Sequence, residues 1–112
     1  MLQSLLRILP PVSGVLTVKL AGVDGFTGRG AVRYATAGDA FVMTVTLTGI
    51  AGKRAEIFVD GKRLAGIAVT NGRASATLSS SRGDKSPPLR EGAQIDIRQN
   101  GDTVLNGALT RG

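Results

Sequence analysis

The sequence predicts an all-β domain, an antiparallel sandwich or small barrel of about eight strands with a short N-terminal helix. Three observations lead there. Apolar and polar residues alternate with a period of two through most of the chain, most clearly in FVMTVTLT at 41–48. Asp60-Gly61, Asn71-Gly72 and Asn100-Gly101 separate alternating runs, and residues tolerant of positive φ suit the primed turns that match strand twist. Glycine is frequent, 16 of 112 residues, as expected of short strands joined by tight turns.

The first eleven residues, MLQSLLRILPP, stand apart from the single all-β domain predicted over residues 12–112. Leu2, Leu5, Leu6 and Leu9 fall at i, i+3, i+4 and i+7, with Gln3, Ser4 and Arg7 opposite, the pattern of an amphipathic helix. Pro10 and Pro11 end it near Ile8. Helices below about 12 residues are marginal alone in water, so this segment is expected to dock, with the four leucines as anchors. The seat is its own domain or a protein partner. A membrane surface suits it less, because one arginine makes a thin polar face. The segment is too short to span a bilayer and lacks the layout of a secretory signal, so a cytoplasmic location is expected.

Strands are predicted at 15–21, 28–36, 40–49, 54–59, 62–69, 73–79, 93–98 and 102–109. In the first, Leu16, Val18 and Leu20 point inward and Thr17 and Lys19 outward. In the third, Phe41, Met43, Val45 and Leu47 point inward and Val42, Thr44, Thr46 and Thr48 outward. In the sixth, Ala74, Ala76 and Leu78 alternate with Ser75 and Thr77, and in the seventh Ile95 and Ile97 alternate with Asp96 and Arg98. The first six strands read as a meander. The polar, proline-containing connection from Ser79 to Gly92 is too polar to be structured by itself. It is expected to cross one end of the domain and produce a Greek-key element before the last hairpin.

The order of GRGAVRY, EIFVDGKRLAGIAV, GRASATL, EGAQIDI and VLNGALT resembles small all-β domains of uncharacterised bacterial proteins and, distantly, the chordin-type CHRD domain. The resemblance covers most of residues 15–110 and implies the fold. CHRD domains carry histidines in a central strand and this chain has none, so no function is carried over.

Composition removes much chemistry. Without cysteine or histidine there is no disulfide, no thiolate metal site and no imidazole base, so no cofactor is expected. Ser79, Ser80 or Ser81 with Lys85 would make a serine and lysine pair, but in a polar loop no base is desolvated. Asp24, Asp39, Asp60 and Asp102 adjoin turns and are expected to bond their own backbone. Arg82 to Asp84 spells RGD, a tripeptide too short to carry weight. GVDGFTGRG at 22–30 opens no helix and so lacks a phosphate cradle. An enzyme and a small-molecule substrate are therefore not expected. Carbohydrate binding would want tryptophan platforms, and the chain has none.

The net charge is +6, from 14 Lys plus Arg against 8 Asp plus Glu, which calls for an anionic partner. Alternating strands bring Arg29, Lys53, Arg54 and Arg73 to one end of the domain. The expected function is a non-catalytic assembly module, a subunit of a homo-oligomer or larger complex docked through its N-terminal leucines. The alternative is a small barrel that binds nucleic acid through those four basic residues, although Phe26, Tyr34, Phe41 and Phe58 are too few for a base-stacking platform.

Overall fold

The computed structural model describes residues 13–85, 87 and 89–111. The predicted helix and its leucines, Leu2, Leu5, Leu6 and Leu9, lie outside the described residues. Among the described residues nine strands form one antiparallel sheet: β1 (Ser13–Gly22), β2 (Arg29–Ala37), β3 (Ala40–Thr48), β4 (Arg54–Val59), β5 (Lys62–Ala68), β6 (Arg73–Ser79), β7 (Gln94–Gln99), β8 (Asp102–Ala108) and the short β9 (Thr110–Arg111). Asp60-Gly61, Asn71-Gly72 and Asn100-Gly101 all carry positive φ at both positions, the requirement of the primed turns.

The strand order β5-β4-β7-β8-β1-β2-β3-β6 curls the sheet into a nearly closed barrel, with β9 beside β1. Between sandwich and barrel, the barrel is the outcome. The expected six-strand meander is not formed. Consecutive strands pair from β1 to β3; the chain then crosses to β4, pairs it with β5 and reaches β6, which pairs with β3 and not with β5. The crossing runs through residues 49–53, where Gly49 and Gly52 have positive φ and Ile50 between them is buried. Ile50 closes that end of the barrel. Gly28 makes room for it, since a Cβ there would lie 2.8 Å from Ile50 Cγ2.

The second crossing, from β6 to β7, is the expected one at the opposite end, and it is more ordered than its polarity suggests. A 3-10 turn (Ser80–Arg82) opens it. Ser79 N–H donates to the Asp84 carboxylate at 3.0 Å, and Phe41 N–H donates to Ser80 Oγ at 3.1 Å. The buried Pro87 offers its carbonyl to the Tyr34 hydroxyl at 3.4 Å. These local polar groups are consumed in fastening the crossing to β2, β3 and β6.

Inside, Val32, Met43, Val45, Leu47, Ile57, Ile95, Ile97, Leu105 and Leu109 are the large side chains removed from water. In β3, β4 and most of β7 every second residue is buried, because successive side chains point to opposite faces. Leu16, Val18, Ala74, Ala76 and Leu78 are only partly buried, although their inward direction holds. The alternation breaks at two bulges, where Leu64 is inserted in β5 and Val104 adds a second consecutive buried residue in β8.

Candidate anion-binding face

Register, rather than sequence proximity, builds the basic surface. In β1, β2, β3 and β6, residues paired across neighbouring strands share a face, and their Cβ atoms sit about 5 Å apart. Three outward rows result: Thr17, Arg33, Thr44 and Thr77; Lys19, Ala31, Thr46 and Ser75; Ala21, Arg29, Thr48 and Arg73. Four cations and six hydroxyls thus tile one side of the barrel, and none of these four strands contains an acidic residue.

Arg29 and Arg73 flank Thr48 from its two sides, about 10 Å apart by strand spacing. Both are exposed, as are Lys19 and Arg33. The ion pairs among the described residues lie elsewhere: Arg63 with Glu56 at 2.6 Å, Arg98 with Asp96 at 3.5 Å, Arg111 with Glu91 at 3.7 Å and Arg82 with Asp84 at 4.0 Å. Beside the row, Thr46, Thr48, Thr70, Arg73 and Ser75 line a surface cleft of about 510 Å³.

All four predicted basic residues do reach one end of the barrel, because successive strands run in opposite directions. They do not form one cluster. Arg29 and Arg73 share the row on Thr48, whereas Lys53 and Arg54 belong to the start of β4, on the far side of β5. The Lys53 carbonyl accepts the Val69 N–H at 2.8 Å, and Arg54 pairs with Ala68. The Arg54 guanidinium lies over Gly66, where an added Cβ would meet it at 2.6 Å. Lys19 and Arg33 were missed as partners of Arg29 and Arg73. Their outward direction is legible in the alternation, but which strands become neighbours is not.

The other chemical candidates have structural employment. Ser79 Oγ and Ser81 Oγ are 3.0 Å apart, Ser80 Oγ takes the Phe41 N–H, and Lys85 is exposed. The RGD stretch folds into the crossing, with the Asp84 carboxylate on Ser79 and Arg82 donating to the Thr77 carbonyl at 2.5 Å. Asp60 departs from expectation: its carboxylate accepts the Gln94 N–H at 2.8 Å and so ties the β4–β5 turn to β7 instead of to its own backbone. Among the described residues no group of His, Cys, Asp or Glu is placed to hold a metal ion. No helix among them is long and apolar enough to cross a membrane. Exposed aromatic surface is slight, with Phe26 45 % exposed and the Phe58 ring covered by Arg98, whose guanidinium carbon sits 4.1 Å from its centroid.

No protein-family model matches the chain, and no curated protein matches its sequence. Fold and surface define an all-β barrel with one hydroxyl-rich cationic side whose strands carry no acidic residue.

Proposed function

We propose that the protein is a non-catalytic assembly module, a subunit of a homo-oligomer or larger complex, that presents the β1–β2–β3–β6 face to an acidic protein surface. The observation carrying this reading is the row Arg29, Thr48, Arg73, in which two exposed guanidinium groups form no ion pair among the described residues. Uncompensated charge of this kind adds little to folding and much to encounter with an oppositely charged partner. Docking through Leu2, Leu5, Leu6 and Leu9 draws support from a cleft of about 410 Å³ beside the start of β1, lined by Val15, Leu16, Tyr34 and Leu89 among others.

Two measurements test this. Binding to polyglutamate is expected to weaken with rising salt and to fall about tenfold in an Arg29→Ser/Arg73→Ser variant; salt-independent binding sinks the reading. Removing residues 1–10 separates the two seats of the leucines. Unchanged mass in light scattering with lost thermal stability means a seat within the same domain, and a smaller particle means a seat on a neighbour.

A second reading is favoured by the same row. Arginines with hydroxyls between them also suit the phosphates of single-stranded nucleic acid, with Lys53 and Arg54 at the same end. Lacking stacking aromatics, such binding would be indifferent to sequence. Retardation of single-stranded DNA or RNA at low salt, stronger than the affinity for polyglutamate, would replace the first reading with this one.

A further inference from the structure

Among the described residues the barrel stays open between β5 and β6. Beyond the Asn71-Gly72 turn, where Thr70 and Arg73 exchange backbone bonds of 2.8 and 3.0 Å, no ladder joins β5 to β6. The direction of the backbone groups that have no ladder partner follows from this turn. Arg73 N–H and C=O face Thr70, so on β6 the groups two and four residues on, those of Ser75 and Thr77, face the same gap. Arg82 donating to the Thr77 carbonyl agrees, a side chain standing where a strand would bond. On β5, Val69 N–H bonds toward β4, so Ala68 and Gly66 face the gap. Residues from both edges, including Gly66, Ala68, Ser75 and Thr77, line a cleft of about 400 Å³.

Arginine surrounds this gap. Arg73 lines its upper end and Arg82 its lower end. The guanidinium groups of Arg54 and Arg63 converge over Gly66, within 2.6 and 3.1 Å of where a Cβ would stand. One carboxylate answers the latter two, Glu56 on Arg63, and Asp84 stands 4.0 Å from Arg82.

We propose that the β5–β6 gap receives an extended acidic segment of a partner protein by strand addition, with its backbone on the unpaired edges and its carboxylates on Arg54, Arg63, Arg73 and Arg82. The proposal rests on the reading of the protein as a recognition module and names the form its partner takes. Open edges are aggregation templates that charged side chains normally guard. Here the guard selects. Four arginines repel a second copy of this chain and attract a strand rich in Asp or Glu, while the small side chains of Gly66, Ala68 and Ser75 leave its approach unobstructed.

The test uses the full chain and an octapeptide of alternating aspartate and valine, with its asparagine and valine counterpart and an N-methylated version as controls. Titration followed by fluorescence anisotropy is combined with amide hydrogen exchange. The acidic peptide is expected to bind, to slow exchange at Gly66, Ala68, Ser75 and Thr77, and to lose about tenfold in affinity in an Arg54→Ser/Arg63→Ser variant. Both controls should bind at least tenfold more weakly. An Arg29→Ser/Arg33→Ser variant, altered only on the cationic face, should bind the peptide as the parent does. If the peptide responds to the face variant alone, or those four amides remain unprotected, strand addition is overturned and the recognition reading stands. If no acidic probe binds anywhere, both fall. Light scattering showing a dimer that protects the same amides without peptide assigns the gap to a second copy and overturns the proposal too.

Discussion

The barrel has two sides built to one interior rule and two exterior rules. β1, β2, β3 and β6 contribute Val32, Met43, Val45 and Leu47 to the core, and β4, β5, β7 and β8 contribute Ile57, Ile67, Ile95, Ile97 and Leu105. Outside, the first side carries Lys19, Arg29, Arg33 and Arg73 with no acid in any of its strands. The second mixes signs and pairs them, Glu56 with Arg63 and Asp96 with Arg98, the latter stacked on Phe58. An exposed ion pair such as Glu56 with Arg63 contributes about 0–1 kcal/mol, so folding gains little from that pair and suffers little from the lack of such pairs on the first side. The difference teaches that the two exteriors answer to something other than stability. An unpaired cationic face is free to meet an anion.

The largest expected effect tests whether the sides share one core. Met43→Ala and Ile97→Ala, one fully buried residue from each side, should each cost about 2–5 kcal/mol in urea unfolding, in a single transition. Two separate transitions would break the comparison by making the sides independent units.

Next in size is the fastening between them. Asp84→Ala removes the acceptor of the Ser79 N–H at the start of the β6-to-β7 crossing. Leaving a partly buried donor without its partner should cost about 1–3 kcal/mol. A melting temperature equal to the parent's would show that the crossing carries no structural weight.

The comparison itself is sharpened by placing an acid on the acid-free face. Thr46→Glu, at an exposed position between Ala31 and Ser75, should reduce polyglutamate affinity several-fold and change stability by less than about 0.5 kcal/mol. Affinity unchanged within error would mean that anions bind elsewhere. Smallest is Glu56→Gln on the paired side. Releasing Arg63 should cost no more than about 1 kcal/mol of stability. It should strengthen binding of the acidic octapeptide modestly; weaker binding would show Glu56 to be part of the recognition.

The local pattern of the chain already contained most of the architecture. The run at 41–48 reads correctly residue by residue, because a half-buried strand must alternate to keep one face dry. Asp60-Gly61 and Asn100-Gly101 announce their hairpins because few other residues accept positive φ at successive positions, whereas Asn71-Gly72 announces a turn whose strands then part. Ile50 escaped notice: one apolar residue between turn-forming glycines has no period to reveal it, and only the barrel's open end makes it a plug. The polar stretch after Ser79 misled for a related reason. Its serines and Asp84 look solvated until β2, β3 and β6 supply the backbone groups they bond.

Of the candidate site, the outward direction of Lys19, Arg29, Arg33 and Arg73 was written in the alternation, and their union was not. A strand's own residues determine which face each side chain takes, since the backbone geometry repeats every two positions. Neighbours are chosen by loop closure and by how a shared core fills, quantities that belong to the whole chain. So the sequence alone determined strands, turns and the absence of cysteine and histidine. Tertiary structure alone decided that β6 would lie against β3, bringing Arg73 to Arg29, and that β5 and β6 would part and leave two bonding edges open.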